Sequence, residues 1–191
     1  FLYEESKFLK RIQKKNIMNT EVKWISNFKT IKKGPVIFFG NEFFDAIPIK
    51  QFKRTNGSLL EKNYTFQEDK KIKEIFKKAS KVDTEIIESY KTFKNLKFIE
   101  LPKFGLQELK KITKTISDLK GCILLIDYGY LKPNNQNTLQ SVFKHRKNSL
   151  LKNLGKADIT THVNFALLKE FFIKRNLKTK NIITQKEFLE N

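Results

Sequence analysis

The 191-residue sequence holds one cysteine, Cys122, and two histidines, His145 and His162. A single cysteine excludes an intramolecular disulfide and any multi-cysteine zinc site. Two histidines exclude a His-rich metal cluster. No apolar run approaches the ~18–20 residues that span a bilayer. The seven glycines (34, 40, 57, 105, 121, 129 and 155) never form G-x-G, so the chain contains neither a P-loop nor a dinucleotide fingerprint. Arginine is scarce too: of 39 basic residues only Arg11, Arg54, Arg146 and Arg175 are Arg.

What is present is apolar bulk and positive charge. Hydrophobic residues make up 39% of the chain, with 18 Phe, which is enough for a sizeable core in one domain. The net charge is +19. Such a charge raises the question of a nucleic-acid or anionic-membrane partner. The lysines are spread along the whole chain, and Asn, Ile and Phe are plentiful with them, as A/T-rich codons would produce. Compositional drift therefore explains the charge better than a phosphate-binding arm, for which arginine is the suited residue.

The patterning alternates strands with helices. Phe1-Leu-Tyr reads as a strand, and a helix capped by Ser6 follows with Phe8, Leu9, Ile12 and Ile17 on its apolar side. A native chain rarely opens in mid-element, so the expectation is a piece whose N-terminal part precedes Phe1. Val22–Ile25 is a further strand candidate. Val36-Ile-Phe-Phe39 and Cys122-Ile-Leu-Leu-Ile126 are short continuous apolar runs, which predict adjacent central parallel strands buried on both faces, with Cys122 in the core. Between them, Lys50–Arg54 and Ser58–Tyr64 flank Asn56-Gly57, a hairpin signal. Ile72, Ile75, Phe76 and Ala79 predict one helix, and Val82, Ile86, Ile87, Tyr90 and Phe93 another. Leu96–Leu101 predicts a strand, and Leu106 to Leu119 a helix. Val163–Phe172 predicts a helix, Lys178–Ile183 a strand, and Thr184-Gln-Lys-Glu187 a capping box. The fold class expected is α/β with a mainly parallel sheet. Residues 1–191 form one partial domain, with residues 50–94 as an insertion of a hairpin plus helices, placed to act as a lid, an acceptor platform or a structural flap.

Ligands of open α/β sheets bind at the carboxyl ends of the strands. The first apolar strand runs into Gly40-Asn-Glu-Phe-Phe-Asp-Ala-Ile-Pro48, and the second into Asp127-Tyr-Gly-Tyr130. Acids there can bind ribose hydroxyls, amines or a guanidinium, or act as bases. Equally, Asn41 and Asp45 can cap a following helix and Asp127 can shape a turn.

The order of these pieces resembles the MidA family of S-adenosylmethionine-dependent methyltransferases, which includes the mitochondrial complex I assembly methyltransferase. Asn41-Glu-Phe-Phe-Asp-Ala-Ile-Pro48 is similar to the family block N-E-[LF]-[LF]-D-A-[LI]-P. Ile126-Asp-Tyr-Gly-Tyr130, with Asn137-Thr-Leu-Gln140 and His145, resembles I-D-Y-G-[YH]…D-T-[LF]-[QR]…H, with Asn137 in place of the usual Asp. Gly155-Lys-Ala-Asp-Ile-Thr-Thr-His-Val-Asn-Phe165 resembles P-G-x-A-D-[LI]-T-x-x-V-D-F, without the Pro and with Asn164 for the second Asp. Tyr3-Glu4-Glu5-Ser6 is similar to the acidic block after the family's cofactor loop.

The resemblance implies a Rossmann-like class I methyltransferase fold, seen here without its first strand and Gly-rich loop. It implies S-adenosylmethionine as cofactor, with Glu4 on the ribose hydroxyls and Asn41 and Glu42 beside it. Glu42, Asp45 and Asp127 would form an acidic acceptor pocket, with a helix from Asn41 or Glu42 setting Glu42 and Asp45 on one side. The implied reaction is protein methylation on arginine, linked to a respiratory complex I subunit. The compartment would be the cytoplasm of a bacterium or the mitochondrial matrix of a eukaryote. A non-catalytic assembly module of the same fold is the alternative. Nucleic-acid binding is a weaker one, because the block opens Asn-Glu where base methylation would call for Asn/Asp-Pro-Pro-aromatic.

Overall fold

A computed structural model describes residues 25, 27–68 and 71–190. Phe1–Tyr3, the helix after Ser6, Glu4 and most of Val22–Ile25 lie outside the described residues.

Strands β1 (Val36–Asn41) and β6 (Gly121–Ile126) pair in parallel, with Val36 opposite Gly121 and Asn41 opposite Ile126. Their adjacency is as expected; their burial is not. Ile37 is 73% and Phe39 59% exposed, and Cys122 is exposed. Side chains alternate between faces along a strand. Val36, Phe38 and Gly40 lie on the better-covered face, while Ile37, Phe39 and Asn41 face solvent. A continuous apolar run encodes two covered faces, and among the described residues only one is covered.

Residues 50–94, expected as a hairpin plus helices, hold three strands, one α-helix and one 3-10 turn. Strands β2 (Lys50–Thr55), β3 (Ser58–Phe66), β4 (Ile72–Lys78) and β5 (Phe98–Leu101) form an antiparallel sheet in the order β4-β3-β2-β5. Asn56 (φ 48°) and Gly57 (φ 74°) make the β2–β3 turn. Positive φ at both central residues is the twist-matched hairpin geometry that Asn-Gly favours. The predicted helix over Ile72–Ala79 is instead β4.

Helix α1 (Lys81–Ser89) starts at Ser80, whose Oγ accepts from Asp83 N–H at 3.1 Å. Helix α2 (Lys103–Leu119) buries Leu106, Leu109, Ile112 and Ile116, one side of a helix by spacing. Strand β7 (Gly129–Tyr130) pairs in parallel with β11 (Val163–Asn164). Strands β8 (Gln140–Phe143), β9 (Arg146–Asn148) and β10 (Asp158–Thr160) form an antiparallel sheet in the order β10-β8-β9. Helix α3 (Phe165–Lys174) follows, capped by Asn164 Oδ1 on Leu167 N–H at 3.0 Å. Residues 177–184 hold no regular structure, so the strand expected over Lys178–Ile183 is absent. Helix α4 (Gln185–Glu190) opens on the expected box: Thr184 N–H donates to Glu187 Oε2 at 2.7 Å, and Glu187 N–H to Thr184 Oγ1 at 3.2 Å.

The core lies against the antiparallel sheet rather than around β1 and β6. Phe52, Leu59, Ile99 and Leu101 pack with Ile87, Phe93, Leu106, Leu109, Leu167 and Phe171. Among the described residues no helix is long and apolar enough to cross a membrane.

Candidate functional site at the carboxyl ends of the parallel strands

Where β1 ends, Glu42 N–H donates to Ile126 O at 2.9 Å, so the two strand ends stay joined one step past the ladder. Glu42 takes φ 45°, the left-handed region, and is exposed. Such a conformation is costly for a residue with a Cβ and tends to persist where function holds it. The next three N–H groups, of Phe43, Phe44 and Asp45, all donate to Asp127 Oδ2, at 3.2, 2.8 and 3.3 Å. Asp127 Oδ1 accepts from Tyr128 N–H at 2.8 Å. The first two sequence blocks are thus bolted together by one carboxylate.

This geometry corrects the expected helix: residues 42–47 form a turn, closed by Ile47 N–H on Phe44 O at 3.3 Å. Glu42 and Asp45 are brought to the same strand ends by the loop, not by helical spacing. Nor do Asn41 and Asp45 cap a helix here.

Asp45 is half-buried, and its Oδ1 is buried with no hydrogen-bond partner. Burial raises its pKa, and the charges of Asp127 and Glu42 raise it further. Its backbone carbonyl accepts from Thr161 N–H at 2.9 Å and from Thr161 Oγ1 at 3.4 Å. The third sequence block, Gly155–Phe165, thereby joins the other two. Asn41 is exposed beside Glu42. Of the expected site residues, Asn41, Glu42, Asp45 and Asp127 are brought together, while Glu4 lies outside the described residues.

Behind this shell sits a buried carboxylate that the sequence did not flag. Glu100 on β5 accepts from Gln51 Nε2 (2.9 Å), Thr138 N–H (3.1 Å) and Thr138 Oγ1 (2.5 Å). Gln51 Nε2 also donates to Asn137 Oδ1 at 2.7 Å, and Thr138 Oγ1 accepts from His162 N–H at 3.1 Å. Burial, with the charge of Glu100, pushes Tyr130 up to about 12. Strands β2 and β5 therefore hold Asn137-Thr138, which in turn holds His162, next to Thr161. No local pattern marks Glu100, because its partners, Gln51 and Thr138, come from two distant segments. Thr138 and Thr161 lie within blocks that the resemblance quotes.

The sequence profile of a family described as S-adenosyl-L-methionine-dependent methyltransferases matches residues 1–183. The chain belongs to this methyltransferase family. A relative in Caenorhabditis elegans, the mitochondrial protein arginine methyltransferase NDUFAF7 homolog, is 27% identical over 87% of this chain and 39% of its own length. The zebrafish (Danio rerio) protein arginine methyltransferase NDUFAF7 is 24% identical over 88% of this chain and 39% of its own. A Burkholderia thailandensis structure with S-adenosyl-homocysteine bound superposes with a TM-score of 0.67 at 17% identity, over 88% of this chain and 46% of that one. The chain thus spans about two-fifths of the length of these NDUFAF7 relatives. That likeness gives the Rossmann-like methyltransferase fold, and the family's cofactor is S-adenosylmethionine.

The described residues fit a ligand that donates hydrogen bonds. An orphaned carboxylate oxygen among three acids suits an amine, a ribose hydroxyl or a guanidinium, and it repels the cofactor's own carboxylate.

Proposed function

We propose that this chain supplies the acceptor side of an S-adenosylmethionine-dependent protein methyltransferase acting on arginine. When bound, the cofactor supplies a methyl group carried on a sulfonium. The chain's residues must then orient a nitrogen for in-line attack and match the charge of its guanidinium. In this reading the exposed Glu42 is the clamp: a left-handed backbone at a strand end holds it out from the sheet. Asp45 is the second acid. Its raised pKa reports unrelieved negative charge, which a bound guanidinium would relieve. Asp127 positions the loop through three of its backbone N–H groups. Asn41, beside Glu42, and Glu4 are the cofactor-side residues of the reading.

The observation that carries it is the convergence of three carboxylates at one pair of strand ends in a chain of net charge +19. Scattered lysines repel a basic acceptor everywhere except at such a spot. The relatives are named protein arginine methyltransferases, which supports arginine as the acceptor residue. The family resemblance suggests a respiratory complex I subunit as the protein that carries it, and the mitochondrial matrix as the place if the source is eukaryotic.

The test is Glu42→Gln in an enzyme of the relatives' full length that carries this segment. Cofactor affinity by calorimetry is expected to stay within twofold, while methyl transfer to an arginine peptide falls at least tenfold. Transfer that survives, or cofactor affinity that collapses with it, removes Glu42 from the acceptor clamp.

A further inference from the structure

The β8–β9 hairpin carries a cavity of about 410 Å³, lined by Phe143, Lys144, Arg146, Lys147 and Asn148. Its two-residue turn is Lys144 (φ 51°) and His145 (φ 60°). Asn-Gly takes that left-handed geometry at little cost, and residues with a longer side chain take it at more. Lys144 Nζ lies 5.5 Å from the Phe143 ring centre, and Arg146 pairs with Phe143 across the hairpin. Both cations are exposed, and among the described residues neither side chain has an ion pair. Lys147 pairs with Val142 in the row of Asp158, on the opposite face, which leaves Lys144 and Arg146 beside Phe143. Asn148 is engaged by Ser141, Lys152 and Asn153. Residues 128–157 hold six Lys or Arg and no Asp or Glu, so no neighbour in the chain offsets the two cations.

The same small sheet leads to the strand-end acids. Strand β10 pairs with β8 and runs into Thr161, whose N–H and Oγ1 reach the Asp45 carbonyl. Phe143 and Ser141 share a face of β8, Ser141 pairs with Ile159, and Thr161 lies two residues on from Ile159. Arg146 and Thr161 therefore fall on one face of the sheet. Thr161 lies one residue past the Thr160–Gln140 pair, so four strand steps, roughly 14 Å at ~3.4 Å per residue, separate it from the Phe143–Arg146 pair. An extended peptide covers the same span in about four residues. We propose that Lys144 and Arg146 bind an Asp or Glu of the acceptor protein that lies about four residues from the arginine to be methylated. The inference rests on the reading of Glu42 and Asp45 as the arginine clamp. Charge and spacing together choose the occupant. A nucleic-acid strand that reached Lys144 and Arg146 would carry its next phosphates towards the strand-end acids. A peptide with an arginine and a carboxylate at that spacing meets opposite charge at both ends, and an Arg side chain holds a carboxylate by two parallel bonds.

The test uses an enzyme of the relatives' full length that carries this segment, and three labelled 13-residue peptides with one central Arg in a Gly/Ser background. The residues four before and four after the Arg are both Glu, both Gln or both Lys. The Glu peptide is expected to give a kcat/KM for methyl transfer at least fivefold above the Gln peptide, through KM, with the Lys peptide poorest. In Lys144→Gln/Arg146→Gln the Glu-to-Gln ratio should fall below twofold, and in Lys144→Glu/Arg146→Glu the Lys peptide should overtake the Glu peptide. If a variant loses its fold, raising the salt from about 50 to about 300 mM should bring the wild-type ratio towards one. Equal transfer to the Glu and Gln peptides overturns the proposal, as does a preference that survives the substitutions. If no peptide is methylated, the arginine reading falls, and fluorescence anisotropy with the same peptides judges the hairpin separately. A fivefold Glu preference that the substitutions remove supports it, and equal binding overturns it. Tighter binding of a 12-nucleotide oligouridylate through Lys144 and Arg146 overturns it too.

Discussion

The carboxylate of Asp127 accepts four backbone N–H groups, and that decides what it can do. Both oxygens accept backbone N–H groups, so in this reading Asp127 fixes the loop that carries Glu42 and Asp45. Read from sequence, it was equally a turn-former or a site acid, since both uses place an Asp at a strand end. A second acid has a different job. Asp83 on α1 is fully buried and bound by Lys50 (2.8 Å), Lys103 (2.7 Å) and the Ser80 hydroxyl (2.8 Å). Burial alone would raise its pKa, but the bonds from Lys103, Lys50 and Ser80 outweigh it and bring it down to about 2 from 3.8. A carboxylate depressed by folding stabilises the fold above its unfolded pKa, and that contribution is lost as the pH falls through the folded one. The shift corresponds to about 2 kcal/mol. Urea titrations at pH 6 and pH 2.5, which is still above the folded pKa, should therefore show a loss in the wild type that exceeds the loss in Asp83→Asn by about 1.5 kcal/mol. Equal losses in the two proteins would mean that the cluster contributes no pH-dependent stability.

Elements were legible where one side of them is buried. The helix at Leu106–Leu119 follows from spacing that burial enforces, the hairpin from its Asn-Gly turn, and the pairing of β1 with β6 from their continuous apolar runs. Strand β4 was not legible, and the reason is physical. Ile72, Ile75, Phe76 and Ala79 fall at i, i+3, i+4 and i+7, which mimics a helix. In a ribbon with no covered face, no period-2 pattern is required of the sequence. The Ile182-Ile183 pair misled in the opposite direction: β-branched residues suggest a strand, but both are exposed and unpaired in a segment without regular structure. The short β7–β11 pair was also invisible, since two-residue strands carry no period. It depends on one residue. A Cβ on Gly129 would come within 2.1 Å of Val163 O and 2.6 Å of the Phe165 ring. Backbone oxygen cannot yield as a side chain can, so Gly129→Ala should cost about 3 kcal/mol in chemical denaturation. It should also loosen the Thr161 hold on Asp45, read as faster amide exchange at Thr161. A cost under ~0.5 kcal/mol would show that the pair is not a fixed part of the site.

At the scale of the whole molecule, the strand ends offer acids and the rest of the chain offers lysine. Three of the four blocks of the resemblance converge on one loop: Asp127 holds Phe43 to Asp45, and Thr161 holds Asp45. The seven glycines of this sequence never make G-x-G, the Gly-rich loop that the family resemblance sets against the cofactor's amino-acid end. Several N–H bonds at ~1–3 kcal/mol each are therefore missing from any complex with this chain alone. Every 1.4 kcal/mol is about tenfold in affinity, so two or three missing bonds take a micromolar site to about millimolar or weaker. The 191-residue chain by itself is thus expected to give little or no heat with S-adenosylmethionine in titration calorimetry up to about 1 mM, while an enzyme of the relatives' full length binds in the micromolar range. Micromolar binding by the chain alone would place the main cofactor contacts at Asn41, Glu42 and their neighbours, and would turn the acidic loop from an acceptor clamp into a cofactor site.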